Sequence, residues 1–333
     1  MVMKVFLTGI SGFLGRHVAL QLIELKYDVL GLIRTQNIPE CLTGLPIKYC
    51  YGDLTNHSTY IKDIGRCDAV IHTAALTSFD LSNKERAFLV NTNATKELLK
   101  ISVNSGIKRF IYISTRGTLG VNKWPEYSSE KSGYKNFAEM NTYLKTKYLA
   151  EKEVIEYGNQ GKIFSLVLSP TAMIGEFDDK PTPIGNILLS FLKGEIKVFM
   201  DGGINIVDVE EVASVCVKAL SQGKSGEVYI IGNQNILLYD LFEKISSKYP
   251  IKIPKIKIPL AFAYLAAFLL QIKARLTNKS PMTTVSKVTS LYNNHSYCSS
   301  KKASNEFGIN KIPLSETLNK TINWFCKNNS INF

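Results

Sequence analysis

Lys4-Val-Phe-Leu-Thr-Gly9-Ile-Ser-Gly12-Phe-Leu-Gly15, near the start of the 333-residue chain, is an apolar run that leads directly into three glycines spaced three residues apart. Glycines allow a tight turn and let the backbone approach a pyrophosphate, and the N-terminus of a following helix offers free N–H groups. An ordinary glycine-rich turn is the alternative interpretation. The position directly after a short apolar strand favours a turn that binds a pyrophosphate. The stretch therefore predicts a strand, a dinucleotide-binding turn and a helix.

Short apolar runs and helical patterns alternate along the first half of the chain, as far as Pro170. Such alternation predicts βαβ units and hence a parallel sheet with helices on both faces. Beyond Pro170, prolines and glycines interrupt the pattern before further short strands. We expect an α/β fold, a Rossmann doubly wound parallel sheet with a smaller, discontinuous C-terminal substrate-binding part. The expected boundaries are 1–170 for the NAD(P)-binding domain, with 204–232 returning to it, and 171–203 and 233–330 for the substrate-binding part.

Composition and charge restrict the class of protein and of partner. Hydrophobic residues make up 45% of the chain and charged residues 20%, which is ordinary for a globular protein and excludes a disordered or coiled-coil one. The net charge of +12 favours an anionic partner. Nucleic acid is not expected, because no basic cluster with interleaved aromatic residues occurs.

The six cysteines form no C-x-x-C pair and no zinc-like spacing with the four histidines. We therefore expect reduced thiols, no bound metal and a cytoplasmic location. The first residues lack a basic region followed by an apolar stretch of signal length, so we interpret them as a strand rather than a targeting peptide.

The second predicted strand ends in Arg34, and no acidic residue lies between Gly31 and Pro39. An Asp or Glu at this place would hydrogen-bond the adenosine ribose of NAD, whereas an arginine suits the 2′-phosphate of NADP. A solvated surface arginine is the alternative. The sequence favours NADP as the cofactor, with NAD as the second choice.

Tyr143 and Lys147 lie four residues apart on a predicted helix, so their side chains share one face. A phenol has a pKa of about 10 and is a poor acid–base catalyst at neutral pH. We expect the Lys147 charge to favour the phenolate and to lower the pKa of Tyr143. The spacing by itself is a weak signal, because both residue types are common.

Seven short motifs, each weak singly, follow one another in a specific order. The order resembles that of the extended short-chain dehydrogenase/reductase superfamily across nearly the whole chain. The motifs are Gly9-x-x-Gly12-x-x-Gly15, Gly52-Asp53-Leu54, His72-Thr-Ala-Ala75, Val90-Asn91-Thr-Asn-Ala94-Thr95, Tyr112-Ile-Ser114-Thr115, Tyr143-x-x-x-Lys147-x-x-Ala150-Glu151 and Leu168-Ser-Pro170-x-x-x-x-Gly175. Lys180-Pro-Thr-Pro183 and Asn205-Ile-Val-Asp208-Val resemble its dihydroflavonol-reductase-like and 3β-hydroxysteroid-dehydrogenase-like branch.

The resemblance implies a role for each matching residue. Thr115 would orient a substrate carbonyl, Tyr143 would exchange a proton with its oxygen, and Lys147 would hold the nicotinamide ribose. The residues that it implies at the cofactor are Gly9, Ser11, Gly12, Phe13, Leu14, Gly15, Arg34, Asp53, Leu54, Thr73, Ala74, Ala75, Asn91, Tyr143, Lys147 and Pro170. The expected partners are a small-molecule substrate and, as an option, a second copy of the chain.

Departures from the family pattern bear on the substrate. Thr115 replaces the commoner serine but keeps a hydroxyl, and Ser169 stands where nucleotide-sugar enzymes usually have an arginine. Serine cannot make the bidentate, charge-assisted contact of arginine with a diphosphate. We therefore expect an NADP-dependent oxidoreductase that acts on an apolar carbonyl or alcohol compound. A nucleotide-sugar epimerase or dehydratase with retained NAD is the alternative, and a non-enzymatic cofactor sensor or membrane scaffold is the third.

Residues 258–272 are the most hydrophobic stretch, and Lys252, Lys255 and Lys257 precede it. Its 15 residues fall short of the roughly 20 that cross a bilayer. The stretch is either a helix in peripheral contact with a membrane or a helix packed over an apolar substrate pocket, and we favour the second.

Five side chains have a structural interpretation beside a functional one. His72 is expected to be a packed residue of the cofactor loop rather than a general base. Arg116 is expected to be an ordinary loop arginine, with an anionic substrate as its alternative partner. For Trp124, Tyr127 and Tyr134, an aromatic-lined pocket and a loop packed on its own aromatics both stay open.

Overall fold

The computed structural model describes residues 2–77, 84–122, 125–199, 201–277, 296–329 and 331. Its strands are β1 (Lys4–Thr8), β2 (Asp28–Ile33), β3 (Ile47–Tyr51), β4 (Ala69–His72), β5 (Arg109–Ile113), β6 (Phe164–Pro170), β7 (Ala172–Ile174), β8 (Val198–Phe199), β9 (Gly203–Asp208), β10 (Val228–Ile231), β11 (Gln234–Leu237) and β12 (Ile256–Lys257). Its helices are α1 (Phe13–Glu24), α2 (Ile61–Ile64), α3 (Lys84–Ala87), α4 (Ala94–Asn104), α5 (Thr142–Asn159), α6 (Pro183–Leu192), α7 (Val209–Lys218), α8 (Leu238–Ser246), α9 (Leu260–Thr277), α10 (Lys301–Phe307) and α11 (Leu314–Asn329).

Seven parallel strands form the main sheet, in the order β10-β6-β5-β4-β1-β2-β3. The strand order reverses between β1 and β4, and this reversal leaves a crevice at the carboxyl ends of the two strands. The glycine turn that follows β1 lies at this crevice. The structure confirms the predicted Rossmann fold.

Each face of the main sheet has its own apolar core, because successive residues of a strand point to opposite faces. Val5 and Leu7 of β1 pack with α1 and α7 on one face. Phe6 packs with α4 and α5 on the other face. Helices therefore cover both sides, as the continuous apolar strands require.

The C-terminal part has a separate core. β7, β9 and β11 form a three-stranded sheet, and β8 pairs with β12. The adjoining apolar residues come mainly from α6, α8 and α11, and the rings of Phe191 and Phe242 stack with their centroids 4.2 Å apart. β9 belongs to the small sheet, whereas α7 and β10, which follow it in the chain, return to the main sheet.

Helix α9 contains most of the hydrophobic stretch 258–272, and its packing differs from the interpretation that we favoured. The large apolar side chains on one side of the helix are exposed, so they do not line a substrate pocket. On the other side, Ala263 and Ala267 are buried. Local hydrophobicity identified the helix, but the direction of its apolar face depends on tertiary contacts.

Candidate active site

The turn after β1 brings three backbone segments into contact. Gly9 has a φ of +73°, a conformation that favours glycine, and its carbonyl accepts a hydrogen bond from Gly12 N at 2.8 Å. A Cβ atom on Gly9 would lie 2.7 Å from Ala74 N, and a Cβ atom on Gly15 would overlap with the Gly9 oxygen. The turn, the start of α1 and the loop after β4 are therefore packed as closely as glycine permits.

Helix α1 begins at Phe13, and among the described residues no side chain caps its N-terminus. The first N–H groups of a helix have no partner within the helix, so those of Phe13 and Leu14 are available to a phosphate. The Leu14 side chain is buried in the core. Its expected contribution to a cofactor site is therefore its backbone.

A cavity of about 1090 Å³ extends from this turn past the ends of β2 and β4. The predicted cofactor residues that line it are Gly9, Ser11, Gly12, Phe13, Arg34, Asp53, Leu54, Thr73, Ala74 and Ala75. The predicted cofactor residues outside its lining are Leu14, Gly15, Asn91, Tyr143, Lys147 and Pro170. The cavity is large for a small-molecule pocket, and its volume suits an extended ligand.

Basic side chains outnumber acidic ones in the cavity lining. The basic residues are Arg16, Arg34, Arg86, Lys180 and Lys327, and the acidic ones are Glu40, Asp53 and Asp179. Arg16 forms an ion pair with Asp179 at 2.5 Å. Sequence reasoning missed Arg86 and Lys327, because neither lies in a motif and Lys327 reaches the cavity from the last helix.

Asp53 lies in this cavity near Arg34 and Arg86. Its Oδ1 accepts hydrogen bonds from Thr55 Oγ1 at 2.7 Å and from Thr55 N at 2.8 Å. These two bonds, with smaller contributions from the charges of Arg34 and Arg86, lower the pKa of Asp53. The β2 end of the cavity thus has one oriented carboxylate beside two guanidinium groups.

The predicted catalytic residues lie where β5 meets α5. Thr115 is half-buried just after β5, and its hydroxyl accepts a hydrogen bond from Gly117 N at 3.3 Å. Lys147 is buried, and its Nζ donates to Ile113 O at 2.5 Å and lies 4.1 Å from the centre of the Tyr112 ring. The bond to Ile113 fixes α5 against the end of β5, with Tyr143 one helical turn before Lys147.

The pKa values of this pair differ from our expectation. Burial raises the pKa of Tyr143 to about 12. Burial lowers the pKa of Lys147 to about 7, with the Glu151 charge acting in the opposite direction. The expectation that Lys147 lowers the pKa of Tyr143 is therefore wrong for this structure, because desolvation of the phenol dominates. Tyr143 is a protonated phenol at neutral pH.

The same spacing occurs one turn later, at Tyr148 and Lys152, and burial distinguishes the two pairs. Lys152 is exposed, whereas Lys147 is buried. The Tyr148 ring packs against the Tyr134 ring at a centroid distance of 4.9 Å. A local pattern cannot separate these pairs, but the fold gives only Tyr143 a buried lysine at the end of β5.

A buried carboxylate, Glu151, organises the segment that follows β5. Its Oε2 accepts hydrogen bonds from Ser114 Oγ at 2.5 Å and from Thr118 Oγ1 at 3.0 Å, and its Oε1 accepts one from Tyr134 OH at 3.0 Å. Burial raises the pKa of Glu151, although these hydroxyls and Lys147 act against it. The residues on both sides of Thr115 are thereby attached to α5. The sequence motif included Glu151, but its spacing indicated no role.

His72 is fully buried at the end of β4. Its Nε2 lies 2.9 Å from Thr95 Oγ1, which donates its own proton to Asn91 O at 2.8 Å. Nε2 must therefore carry the ring proton, so Nδ1 accepts from Thr8 Oγ1 at 2.6 Å. Burial, followed by the Lys147 charge, lowers the pKa of His72 to about 3. His72 is a packed, neutral residue, as the sequence predicted.

Asn91 connects the cavity to α5. Its Oδ1 accepts from Leu76 N at 2.7 Å, and its Nδ2 donates to Leu76 O at 2.9 Å and to Thr146 Oγ1 at 3.0 Å. Thr146 Oγ1 in turn donates to Tyr143 O at 2.8 Å. Leu76 lines the cavity. The Asn91 amide is thus occupied by the protein itself, and it joins the cavity rim to the turn that carries Tyr143.

Arg116, Tyr127 and Tyr134 make contacts within the protein. Arg116 is buried rather than solvated, and its Nη2 donates to Gly120 O at 3.3 Å. Tyr134 packs against Tyr148, and Tyr127 packs edge-on against Tyr297 at 6.1 Å. Both rings therefore pack on aromatic residues from outside the loop, Tyr148 on α5 and Tyr297 before α10. Trp124 lies outside the described residues.

Three findings bear on other kinds of site. Within the described ranges, no group of three or more His, Cys, Asp or Glu side chains is placed to hold a metal ion. Across the same part of the chain, every helix is too short or too polar to cross a membrane. All six cysteines are free thiols.

Comparison with known proteins extends the match from motifs to the whole chain. Residues 5–232 match the model of the NAD dependent epimerase/dehydratase family. The chain is 29% identical over 326 residues to the "Putative dihydroflavonol 4-reductase" of Synechocystis sp., with 96% of this chain and 94% of that protein covered. It is 26% identical to the "Sterol-4-alpha-carboxylate 3-dehydrogenase, decarboxylating" of Mus musculus, with 97% and 91% covered. The crystal structure of gox2253 is similar at a TM-score of 0.86 and 27% identity, with 99% of each chain covered.

The glycine turn, the sheet order and the family match define the class of protein. The chain belongs to the NAD dependent epimerase/dehydratase family, as the order of its motifs predicted. It is an NAD(P)-dependent oxidoreductase that acts on CH–OH or C=O groups of a small molecule.

The buried His72 predicts a contribution to acid sensitivity. A group whose pKa is lowered on folding stabilises the protein above its unfolded pKa, about 6.5, and this contribution is lost as the pH falls toward about 3. As the pH falls from 7 to 5, we expect His72 to lower the free energy of unfolding by about 2 kcal/mol. His72→Gln should flatten the pH dependence by that amount, as measured by denaturant unfolding.

Exposed His57, replaced by Gln, is the matched control for this measurement. Its pH dependence should follow the unmodified protein. Parallel curves for His72→Gln and the unmodified protein would contradict the burial argument.

Proposed function

We propose that the protein is an NADP-dependent oxidoreductase that reduces the carbonyl group, or oxidises the corresponding alcohol, of a small apolar substrate. The observation that carries the proposal is the buried Lys147, bound to the end of β5 beside Thr115 and one turn from Tyr143. A hydroxyl, a phenol and a fixed amine at the carboxyl edge of a dinucleotide-binding sheet suit proton exchange at a substrate oxygen.

The cavity residues fit a phosphorylated dinucleotide. A Cβ would fill the glycine turn, and α1 has no side-chain cap among the described residues, so Gly9, Ser11, Gly12 and Phe13 would hold a pyrophosphate. Arg34, exposed at the end of β2, would bind a 2′-phosphate. The nicotinamide, when bound, supplies or accepts a hydride.

Each residue of the triad has one task in the proposed reduction. The Thr115 hydroxyl hydrogen-bonds the substrate carbonyl oxygen and fixes its direction. Tyr143 gives its phenolic proton to that oxygen as the carbonyl carbon gains a hydride, which completes the alcohol. Burial raises the pKa of Tyr143 to about 12, so the phenol carries its proton at neutral pH and above. Lys147 would hold the nicotinamide ribose, and oxidation of the alcohol would reverse the same proton transfer.

Two observations support an apolar substrate. Ser169 is buried at the end of β6, where a nucleotide-sugar enzyme would need a guanidinium for the diphosphate. The names of two relatives refer to a dihydroflavonol and to a sterol carboxylate, both built on largely apolar rings.

A substrate panel tests the proposed reaction. The purified protein with NADPH should turn over at least one apolar polycyclic or aryl ketone, measured by loss of NADPH absorbance. Calorimetry with UDP, dTDP and GDP sugars should detect no binding, because Ser169 cannot clamp a diphosphate. Tight binding of a sugar nucleotide, together with NAD that stays bound through purification, would support the epimerase alternative instead.

Substitution of Arg34 tests the proposed preference for NADPH over NADH. Arg34→Asp should weaken NADPH binding by about 10- to 150-fold, the range expected for a lost hydrogen bond to a charged group. NADH binding should be unchanged or improved, because the new carboxylate can accept from the ribose hydroxyl. Both affinities are measured by fluorescence titration. Arg66→Asp, exposed after α2, makes the same charge change away from the cavity and should leave both affinities unchanged. Equal affinity of the unmodified protein for NADPH and NADH would contradict the assignment.

Substitution of Tyr143 tests its proposed role as the proton donor. Tyr143→Phe keeps the ring but removes the proton donor, so turnover should fall by about 10²- to 10⁴-fold while NADPH affinity and thermal stability stay close to normal. Tyr148→Phe makes the same change one turn away and should retain most of its turnover. Near-normal turnover by Tyr143→Phe would show that another group supplies the proton.

A further inference from the structure

We propose that one face of helix α9 and the lysines beside it bind the surface of an anionic phospholipid bilayer. This face, the α9 face, consists of Phe262, Leu265, Phe268, Leu269 and Ile272. The proposal depends neither on the identity of the cofactor nor on that of the substrate.

The α9 face is a continuous apolar stripe. At 100° per residue, its five positions fall within an arc of about 120°. The side chains are exposed by 65%, 55%, 55%, 56% and 39%, in chain order. Soluble proteins rarely expose several large apolar side chains side by side, and such a patch marks a surface that another apolar phase covers.

The sequence on both sides of this face is strongly basic. Between Glu243 and Glu306 the sequence has eleven Lys and Arg residues and no Asp or Glu, which is almost the whole net charge of +12. Directly before α9, exposed Lys252 and Lys255 line a groove of about 650 Å³. Lys193 and Lys197, which follow α6 in the chain, line the same groove.

Acidic residues near the groove are few. Glu195 lies between Lys193 and Lys197 in the sequence, and Asp201 forms an ion pair with Lys257 at 2.6 Å. The four lysines of the groove therefore keep a net positive charge toward solvent. Phospholipid phosphates are the complementary groups, and lysines beside an apolar helix are the pattern of interfacial membrane binding.

The dimensions of α9 fit a helix that lies in the interface rather than one that crosses it. The helix has 18 residues, and the apolar run 258–272 is shorter than the roughly 20 residues needed to span a bilayer. With its axis parallel to the surface, the α9 face enters the acyl boundary, and Lys252 and Lys255 stay at headgroup level.

A second copy of the chain is a less suitable occupant. A symmetric contact through the α9 face would place the same lysine-rich surfaces of both copies next to each other. Like charges brought together across an interface oppose association. An anionic bilayer offers both an apolar phase for the α9 face and phosphates for the lysines.

Vesicle flotation of the full-length protein tests the proposal. The protein should float with vesicles of phosphatidylcholine and phosphatidylglycerol, and much less with phosphatidylcholine alone. Flotation should weaken at an ionic strength of about 1 M, where the screening length is only about 3 Å. Failure to float with the anionic vesicles at low salt would overturn the proposal.

Two pairs of variants separate the apolar from the electrostatic contribution. Leu265→Ser with Leu269→Ser should weaken binding to anionic vesicles by at least about tenfold, because two large side chains no longer leave water. Lys252→Gln with Lys255→Gln should weaken it by about 30-fold, about fivefold for each lysine. Thermal stability should not change, since all four residues are exposed.

Each pair of variants has a control pair in which the same kinds of substitution are made at exposed residues far from α9 in the sequence. Leu25→Ser with Ile61→Ser replaces exposed apolar residues of the nucleotide-binding part, and Lys62→Gln with Lys100→Gln removes the same charge. Both controls should bind vesicles as the unmodified protein does. Equal losses in variants and controls would overturn the proposal, as would a dimer, detected by light scattering, that the Leu265 and Leu269 changes dissociate.

Discussion

Contact between backbones at the carboxyl ends of β1 and β4 is the constraint on which the site depends. Thr73 and Ala74 approach Gly9 so closely that no side chain fits there, and Gly15 lets α1 start against the same turn. Thr8 extends this contact, because its hydroxyl donates to His72 and accepts from Ala74 N at 3.3 Å. The two strands are held at a fixed separation, so the crevice keeps the shape that a dinucleotide needs.

Buried polar groups connect this turn to the residues that we propose as catalytic. Asn91 joins the cavity rim to α5, and Glu151 joins α5 to both sides of Thr115. Buried polar networks with satisfied partners specify one arrangement, because any other leaves a desolvated group unpaired. Desolvation also acts on the ionisable groups here: it holds His72 neutral and opposes ionisation of Tyr143. The acid–base properties of the site therefore follow from the surrounding fold more than from its local charges.

Sequence patterns predicted the parts whose signal is local. The apolar runs of β1, β4 and β5 and the spacing of the first glycines located the sheet and its crevice. The edge strand β3 shows no such apolar run, because only Cys50 of its five residues is buried. The burial of Arg116, the exposure of the α9 face and the raised pKa of Tyr143 depend on contacts between distant segments. No local pattern encodes these properties.

The last strand of the main sheet comes late in the chain, and this order limits how the protein can be divided. β10 pairs with β6 from Val228 and Val167 onward, after the chain has passed through residues 171–203. A fragment that ends at Pro170 would leave β6 as an open edge and α1 without α7 against it. The nucleotide-binding part is therefore not a transferable module. Recombination at one junction cannot exchange the C-terminal part alone.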